Sequence, residues 1–135
     1  MQQNAFKSIH RSAIVGAFET SPLGVIARSW YSQSMQHLFW DASGRAWVVE
    51  GERGVDQGRP LSPGLFSAGL APELDKLLAK LRALDPHAML FAYLDAFVIV
   101  DPAHGDAAVD ATSAALCSVG LTLELTKTKA WTPDP

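Results

Sequence analysis

This chain of 135 residues has a single cysteine and no long apolar run. The single cysteine, Cys117, cannot form an internal disulfide, so nothing in the composition indicates a secreted, disulfide-stabilised domain. No apolar run approaches the ~20 residues that a membrane-spanning helix needs. The first residues also contain no apolar stretch of the kind found in a signal peptide. We therefore expect an intracellular protein with no membrane contact.

Basic residues are also few. Lys and Arg together number 11 against 14 Asp and Glu, which gives a net charge of −3. Because clustered Lys and Arg make the phosphate contacts of nucleic-acid-binding proteins, this balance argues against tight, autonomous binding of nucleic acid. The four histidines show no ligand spacing, so a zinc site is not predicted. Hydrophobic residues at 48% predict instead one globular domain over residues 1–135.

Apolar residues that recur every three or four positions predict four helices. Helical spacing covers residues 7–19, 22–35, 62–84 and 106–119. The Ser62-Pro63 pair is a typical helix start, and Gly120 is a typical stop. Pro72 lacks an N–H, so we expect it to kink the third helix or to split it in two.

Strand-like segments alternate with these helices. A hairpin is predicted over 36–50 with its turn at Asp41–Gly44, and a buried hairpin over 88–100 with its turn near Leu94–Ala96. A short strand is predicted over 121–125. Antiparallel hairpins separated by helices predict an α+β fold in which antiparallel sheet packs on helices.

One acid, Asp95, interrupts the otherwise apolar run 88–100. An acid in such a run is costly unless it lies at the tip of the hairpin or holds a partner. It can be an ordinary turn residue, which is the commoner case for Asp, or a metal ligand at a hairpin tip in a cleft. Asp95 alone does not decide between the two.

Four segments follow one another along the chain: Asn4–Ile9, Gln57–Phe66, Phe91–Asp95 and Leu121–Thr128. In this order they resemble motifs of the reverse transcriptase palm, of the non-LTR or group II-like retroelement type. The signature of an aromatic residue, any residue and two aspartates resembles Phe91-Ala92-Tyr93-Leu94-Asp95. The family's Gln-Gly-Asp-Pro-Leu-Ser-Pro loop resembles Gln57-Gly58-Arg59-Pro60-Leu61-Ser62-Pro63, followed by Leu65-Phe66. The other two are Asn4-Ala5-Phe6-Lys7-Ser8-Ile9, which resembles the stretch after the first catalytic aspartate, and Leu121–Thr128, which resembles a later Leu-Asn-x-x-Lys-Thr motif.

The resemblance implies a role for each matched residue. Phe6 would be the steric gate that excludes the ribose 2′-hydroxyl. Gln57 and Gly58 would lie along the incoming nucleotide and the template, and Tyr93 beneath the primer end. Asp95 would be the catalytic ligand of Mg²⁺, and Lys127 would lie near the triphosphate. The competing interpretations are core packing for Phe6 and Tyr93 and a solvated surface charge for Lys127.

The carboxylates depart from the family pattern. Polymerisation uses two metal ions roughly 3.5–4 Å apart, held by converging carboxylates. The resemblance implies acids at the positions of Met1, Asp95 and Ala96, and only Asp95 is one. We therefore expect that Mg²⁺, which active relatives use, is not bound here, and that the chain has no polymerase activity. Arg59 also replaces a family acid.

The resemblance further implies that the first palm strand, the fingers and the thumb are largely missing. An exposed sheet edge would then favour self-association. Binding of template-primer and deoxynucleotide triphosphate is expected to be weak if it occurs. Two alternatives stay open: a degenerate palm kept as a non-catalytic protein-binding, nucleic-acid-binding or structural module, and a truncated or decayed reading frame.

Overall fold

The α+β class is confirmed by the computed structural model, which describes residues 5–56, 59–92 and 96–132. Contacts divide the chain into two compact units, Met1–Leu70 and Ala71–Pro135. Each unit contains one antiparallel sheet of two strands among its described residues.

The first unit begins with three short helices and a hairpin. They are α1 (Ala5–Ser8), α2 (Arg11–Ala17), α3 (Gly24–Tyr31), β1 (Met35–Trp40) and β2 (Ala46–Gly51). A long helix, α4 (Ser62–Leu84), begins in the first unit and ends in the second. The second unit continues with β3 (Met89–Ala92), β4 (Ala96–Ile99), a 3-10 turn (Pro102–His104) and α5 (Gly105–Ser118).

The single helix predicted over 7–19 is wrong, because the chain breaks it between α1 and α2. His10 has extended backbone, with φ −66° and ψ 129°. The carbonyl of Ile9 accepts a hydrogen bond of 2.8 Å from the N–H of Gly54, so it is taken by a distant loop. A tertiary contact therefore overrides the helical spacing of the sequence.

The first hairpin and its turn are confirmed. Trp40 pairs with Ala46, and Gly44 takes the positive φ of 81° that the turn requires. One carboxylate oxygen of Asp41 accepts from the hydroxyl and the N–H of Ser43 and from the N–H of Arg45. The other accepts from Trp47 Nε1 at 3.0 Å. These hydrogen bonds, first of all that of the Ser43 hydroxyl, lower the pKa of Asp41 to about 2.

Pro72 does not split α4, which is continuous from Ser62 to Leu84. A proline removes one N–H donor, and the loss is local. The leucines that follow it supply apolar contact in the second unit, where Leu77 and Leu81 are completely buried. This burial stabilises the part of the helix that the proline weakens.

The core of the second unit lies where α4, α5 and one face of the β3–β4 hairpin meet. Leu90 and Val98 of the hairpin pack against Leu77, Leu81 and the small residues Ala88, Ala108 and Ala115. The opposite face of the hairpin carries four apolar side chains that are at least half exposed: Met89, Phe91, Phe97 and Ile99. The predicted hairpin is confirmed as a pair of antiparallel strands, but its expected burial is wrong on one face.

Two sequence predictions about α5 and its flanks need correction. The helix begins at Gly105, one residue before the predicted start, and His104 is at the N-cap position. Gly120, with φ 81°, ends the helix as predicted. The strand predicted over 121–125 is wrong: the N–H of Leu121 returns to the carbonyl of Leu116, and Glu124 begins a turn through Thr128. The helix stop and this turn use the backbone groups that a strand would need.

Candidate functional site

The structure describes two of the six predicted site residues. Gln57, Gly58, Tyr93 and Asp95 lie outside the described residues, so their predicted roles stay predictions. Phe6 lies in α1 of the first unit, and Lys127 lies in the turn of the second unit. The two described residues therefore belong to different units.

Phe6 contacts the chain just before and just after the Gln57–Pro63 segment. Its ring stacks on that of Phe66 in α4, with ring centroids 4.7 Å apart and planes at 29°. Its carbonyl accepts a hydrogen bond of 2.8 Å from the N–H of Val55, two residues before Gln57 in the sequence. The ring is half-buried. Phe6 is therefore partly buried against Phe66, and its carbonyl holds the loop that precedes Gln57.

The approach of that loop to α1 depends on a glycine. Gly54 has φ 74°, and a side chain there would bring Cβ within 2.4 Å of both the Phe6 carbonyl oxygen and Lys7 Cα. The loop can therefore make its two hydrogen bonds, to Ile9 and to Phe6, only because residue 54 has no side chain.

An ion-pair cluster that sequence reasoning missed lies at the end of this loop. Asp56 is mostly buried, and its carboxylate lies 3.0 Å from Arg59 Nε and 3.5 Å from His37 Nε2. Its backbone carbonyl accepts from the hydroxyl of Ser62, which is almost completely buried. Arg59, the residue that replaces a family acid, thus has an acid three positions before it. That spacing in the sequence could have predicted the pair.

Tyr31 lies beside the same cluster and is 3% exposed. Burial raises the pKa of its phenol, and the negative charge of Asp56 adds to the increase. The tyrosine therefore stays protonated at neutral pH and can donate a hydrogen bond.

Arg11 is the second feature that sequence reasoning missed. Its side chain is 7% exposed, and its guanidinium ties three segments of the first unit together. Nη1 donates to the Gln33 carbonyl at 2.7 Å, and Nε donates to the Gly54 carbonyl at 3.3 Å. The same group lies over the ring of Tyr31, 5.6 Å from its centroid. No sequence pattern marks this arginine, because its partners are backbone carbonyls distant in the chain.

In the second unit, β3 and β4 flank the position of the family's paired aspartates. Ala92 at the end of β3 pairs with Ala96 at the start of β4, and Asp95 directly precedes Ala96 in the sequence. Ala96 is exposed, and its methyl group offers no oxygen to a metal ion. Among residues 5–56, 59–92 and 96–132, no three His, Cys, Asp or Glu side chains are grouped in a way that could hold a metal ion.

Lys127 lies in the turn that begins at Glu124. Its N–H donates to the Glu124 carbonyl at 3.0 Å, and the residue is exposed. Glu124, which stands where the family motif has Asn, accepts from the Thr126 hydroxyl at 2.8 Å. These hydrogen bonds hold the backbone of the Leu121–Thr128 segment in a turn.

Comparison with protein-family models, with curated proteins and with solved structures finds no match to this chain. Within the described part of the chain, no helix combines the length and the apolar character needed to cross a membrane.

Proposed function

We propose that this chain is a reverse-transcriptase-like palm of the non-LTR or group II-like type that does not carry out nucleotidyl transfer. The observation that carries the proposal is that, in the first unit, Phe6 contacts residues on either side of the Gln57–Pro63 segment. The N–H of Val55, just before the Gln57-Gly58 pair, donates to the carbonyl of Phe6. The ring of Phe6 stacks on Phe66, just after the Pro-Leu-Ser-Pro segment. A residue of the first matched segment thus contacts the chain just before and just after the second matched segment.

The second unit supports the same proposal. The resemblance implies a hairpin that carries an aromatic residue on one strand and acids at its tip. The strands β3 and β4 form an antiparallel pair, and Tyr93 and Asp95, the aromatic residue and the acid of the signature, lie between them in the sequence and outside the described residues.

The proposed lack of nucleotidyl transfer follows from the missing carboxylates that would hold Mg²⁺. In the ancestral reaction, a primer 3′-hydroxyl attacks the α-phosphorus of a deoxynucleoside triphosphate and pyrophosphate leaves; two metal ions would activate the hydroxyl and neutralise the phosphates. With Met1 and Ala96 at two carboxylate positions, Asp95 alone cannot hold both ions against water. The residues present therefore do not fit the magnesium pair. Each lost ~1.4 kcal/mol of transition-state stabilisation lowers the rate tenfold.

Primer extension tests this proposal. We expect that the full chain, given template-primer, deoxynucleotides and either Mg²⁺ or Mn²⁺, incorporates no more nucleotide than an Asp95→Ala variant. Incorporation clearly above that variant would show that the chain assembles an active centre and would overturn the claim of inactivity.

The alternative, a degenerate palm kept as a protein-binding module, is favoured by one observation. The outer face of the β3–β4 hairpin exposes Met89, Phe91, Phe97 and Ile99 by half or more, a pattern typical of surfaces that contact other proteins. This role is compatible with loss of catalysis.

A further inference from the structure

An open cleft of about 570 Å³ lies in the first unit, and Arg11, which is mostly buried, is among the residues that line it. Besides Arg11, the cleft is lined by side chains that can donate hydrogen bonds or carry positive charge: Arg53, His10, Tyr31, Gln33, Ser12, Ser32 and Ser34.

The charge of Arg11 is not neutralised within the described part of the chain. Its two hydrogen-bond acceptors are the carbonyls of Gln33 and Gly54, and its Nη2 donates to no described group. No described carboxylate lies within 4.0 Å of this guanidinium. A buried cation without a counter-ion is costly, and a bound anion would remove that cost.

The acid that lines the same cleft does not supply the missing charge. Glu52 lies next to Arg53 in the sequence, yet its carboxylate forms no ion pair with Arg53 or with Arg11. Both arginines are therefore available to an anion, whereas Glu52 opposes its binding.

We propose that this cleft binds a phosphate group. The planar guanidinium of Arg11 is held in place by two carbonyls, so its remaining N–H groups are oriented in advance for the oxygens of a tetrahedral anion. Arg53 adds a second positive charge, and the serine hydroxyls can donate further hydrogen bonds. The phosphate can be free, as inorganic phosphate, or part of a nucleic-acid backbone. The proposal does not depend on the reverse transcriptase kinship.

NMR titration of the full chain tests the proposal. We expect inorganic phosphate to shift the Arg11 Nε–H signal and the amide signals of Arg53 and Ser34 saturably, relative to sodium chloride at equal ionic strength. A second titration uses single-stranded oligothymidylate. If it shifts the same signals at much lower concentration, the ligand is backbone phosphate; if only inorganic phosphate does so, the ligand is the free anion. Absence of saturable shifts in both titrations would overturn the proposal.

Exposed charges provide variants that should still fold. Arg53→Gln should weaken binding by about fivefold, as expected for one lost surface charge contact, whereas Glu52→Gln should tighten it because a repulsive charge is removed. Arg28→Gln is the matched control, since it removes an exposed charge of the same unit that does not line the cleft. Equal weakening by Arg28→Gln and Arg53→Gln would show only a general charge effect and would contradict a specific site.

Discussion

Replacing Gly54 by alanine is expected to destabilise the first unit strongly, by at least about 3 kcal/mol. Two costs add. The residue has φ 74°, where an L side chain is strained, and its new Cβ would lie within 2.5 Å of three backbone atoms of Phe6 and Lys7. Backbone atoms cannot give way as a flexible side chain can, so the loop must leave α1 and lose its hydrogen bonds to Ile9 and Phe6. Urea unfolding followed by amide signals of α2 measures the loss.

Gly44→Ala is the matched control for this experiment. Gly44 has a similar φ of 81°, but nothing lies within 4 Å of the position where its Cβ would be. The variant should lose only about 1 kcal/mol, the cost of the left-handed backbone conformation alone. If both variants lost the same free energy, the close approach of the loop to α1 would be contradicted.

Replacing Leu81 by alanine is the second substitution with a large expected effect. Leu81 is 0% exposed in the core formed by α4, α5 and the β3–β4 hairpin. Truncation removes apolar contact and leaves a cavity, so we expect the second unit to lose about 3 kcal/mol of unfolding free energy. Urea unfolding followed by the amide signals of α5 provides the measurement.

Leu84→Ala serves as its control, because the same chemical change is made on the same helix where the side chain is 39% exposed. Its cost should stay below about 1 kcal/mol, in proportion to the smaller buried area. A Leu81→Ala variant no less stable than the control would contradict the placement of Leu81 in the core of the second unit.

Local signals in the sequence were sufficient for much of the fold. The Asp41–Gly44 turn, the start of α4 at Ser62-Pro63 and the stop of α5 at Gly120 were predictable because each depends on neighbouring residues alone. The failures came from distant contacts. The carbonyl of Ile9 bonds to Gly54 instead of continuing a helix, and Leu121 returns to Leu116 instead of entering a sheet.

The site was less predictable than the fold. The resemblance assigned Phe6 and Gln57 to one predicted site, and the contact described there is the hydrogen bond from the N–H of Val55 to the carbonyl of Phe6. Arg11 and Asp56 escaped notice because their importance depends on burial and on partners far along the chain, such as Gln33 and His37. Spacing in a sequence does not encode such partners.

Manganese binding tests most directly whether Asp95 alone is enough to hold divalent metal ions at this position. Mn²⁺ prefers the same oxygen ligands as Mg²⁺ and broadens nearby NMR signals. In the unmodified chain we predict that Mn²⁺ causes no saturable broadening of the NMR signals of β3 and β4. Any broadening that does occur should be the same in an Asp95→Asn variant. Ala96→Asp should restore a carboxylate pair, tighten binding by about tenfold or more and broaden Ala92 and Phe97. Saturable, Asp95-dependent binding by the unmodified chain would contradict the account, as would an Ala96→Asp variant that gains no affinity.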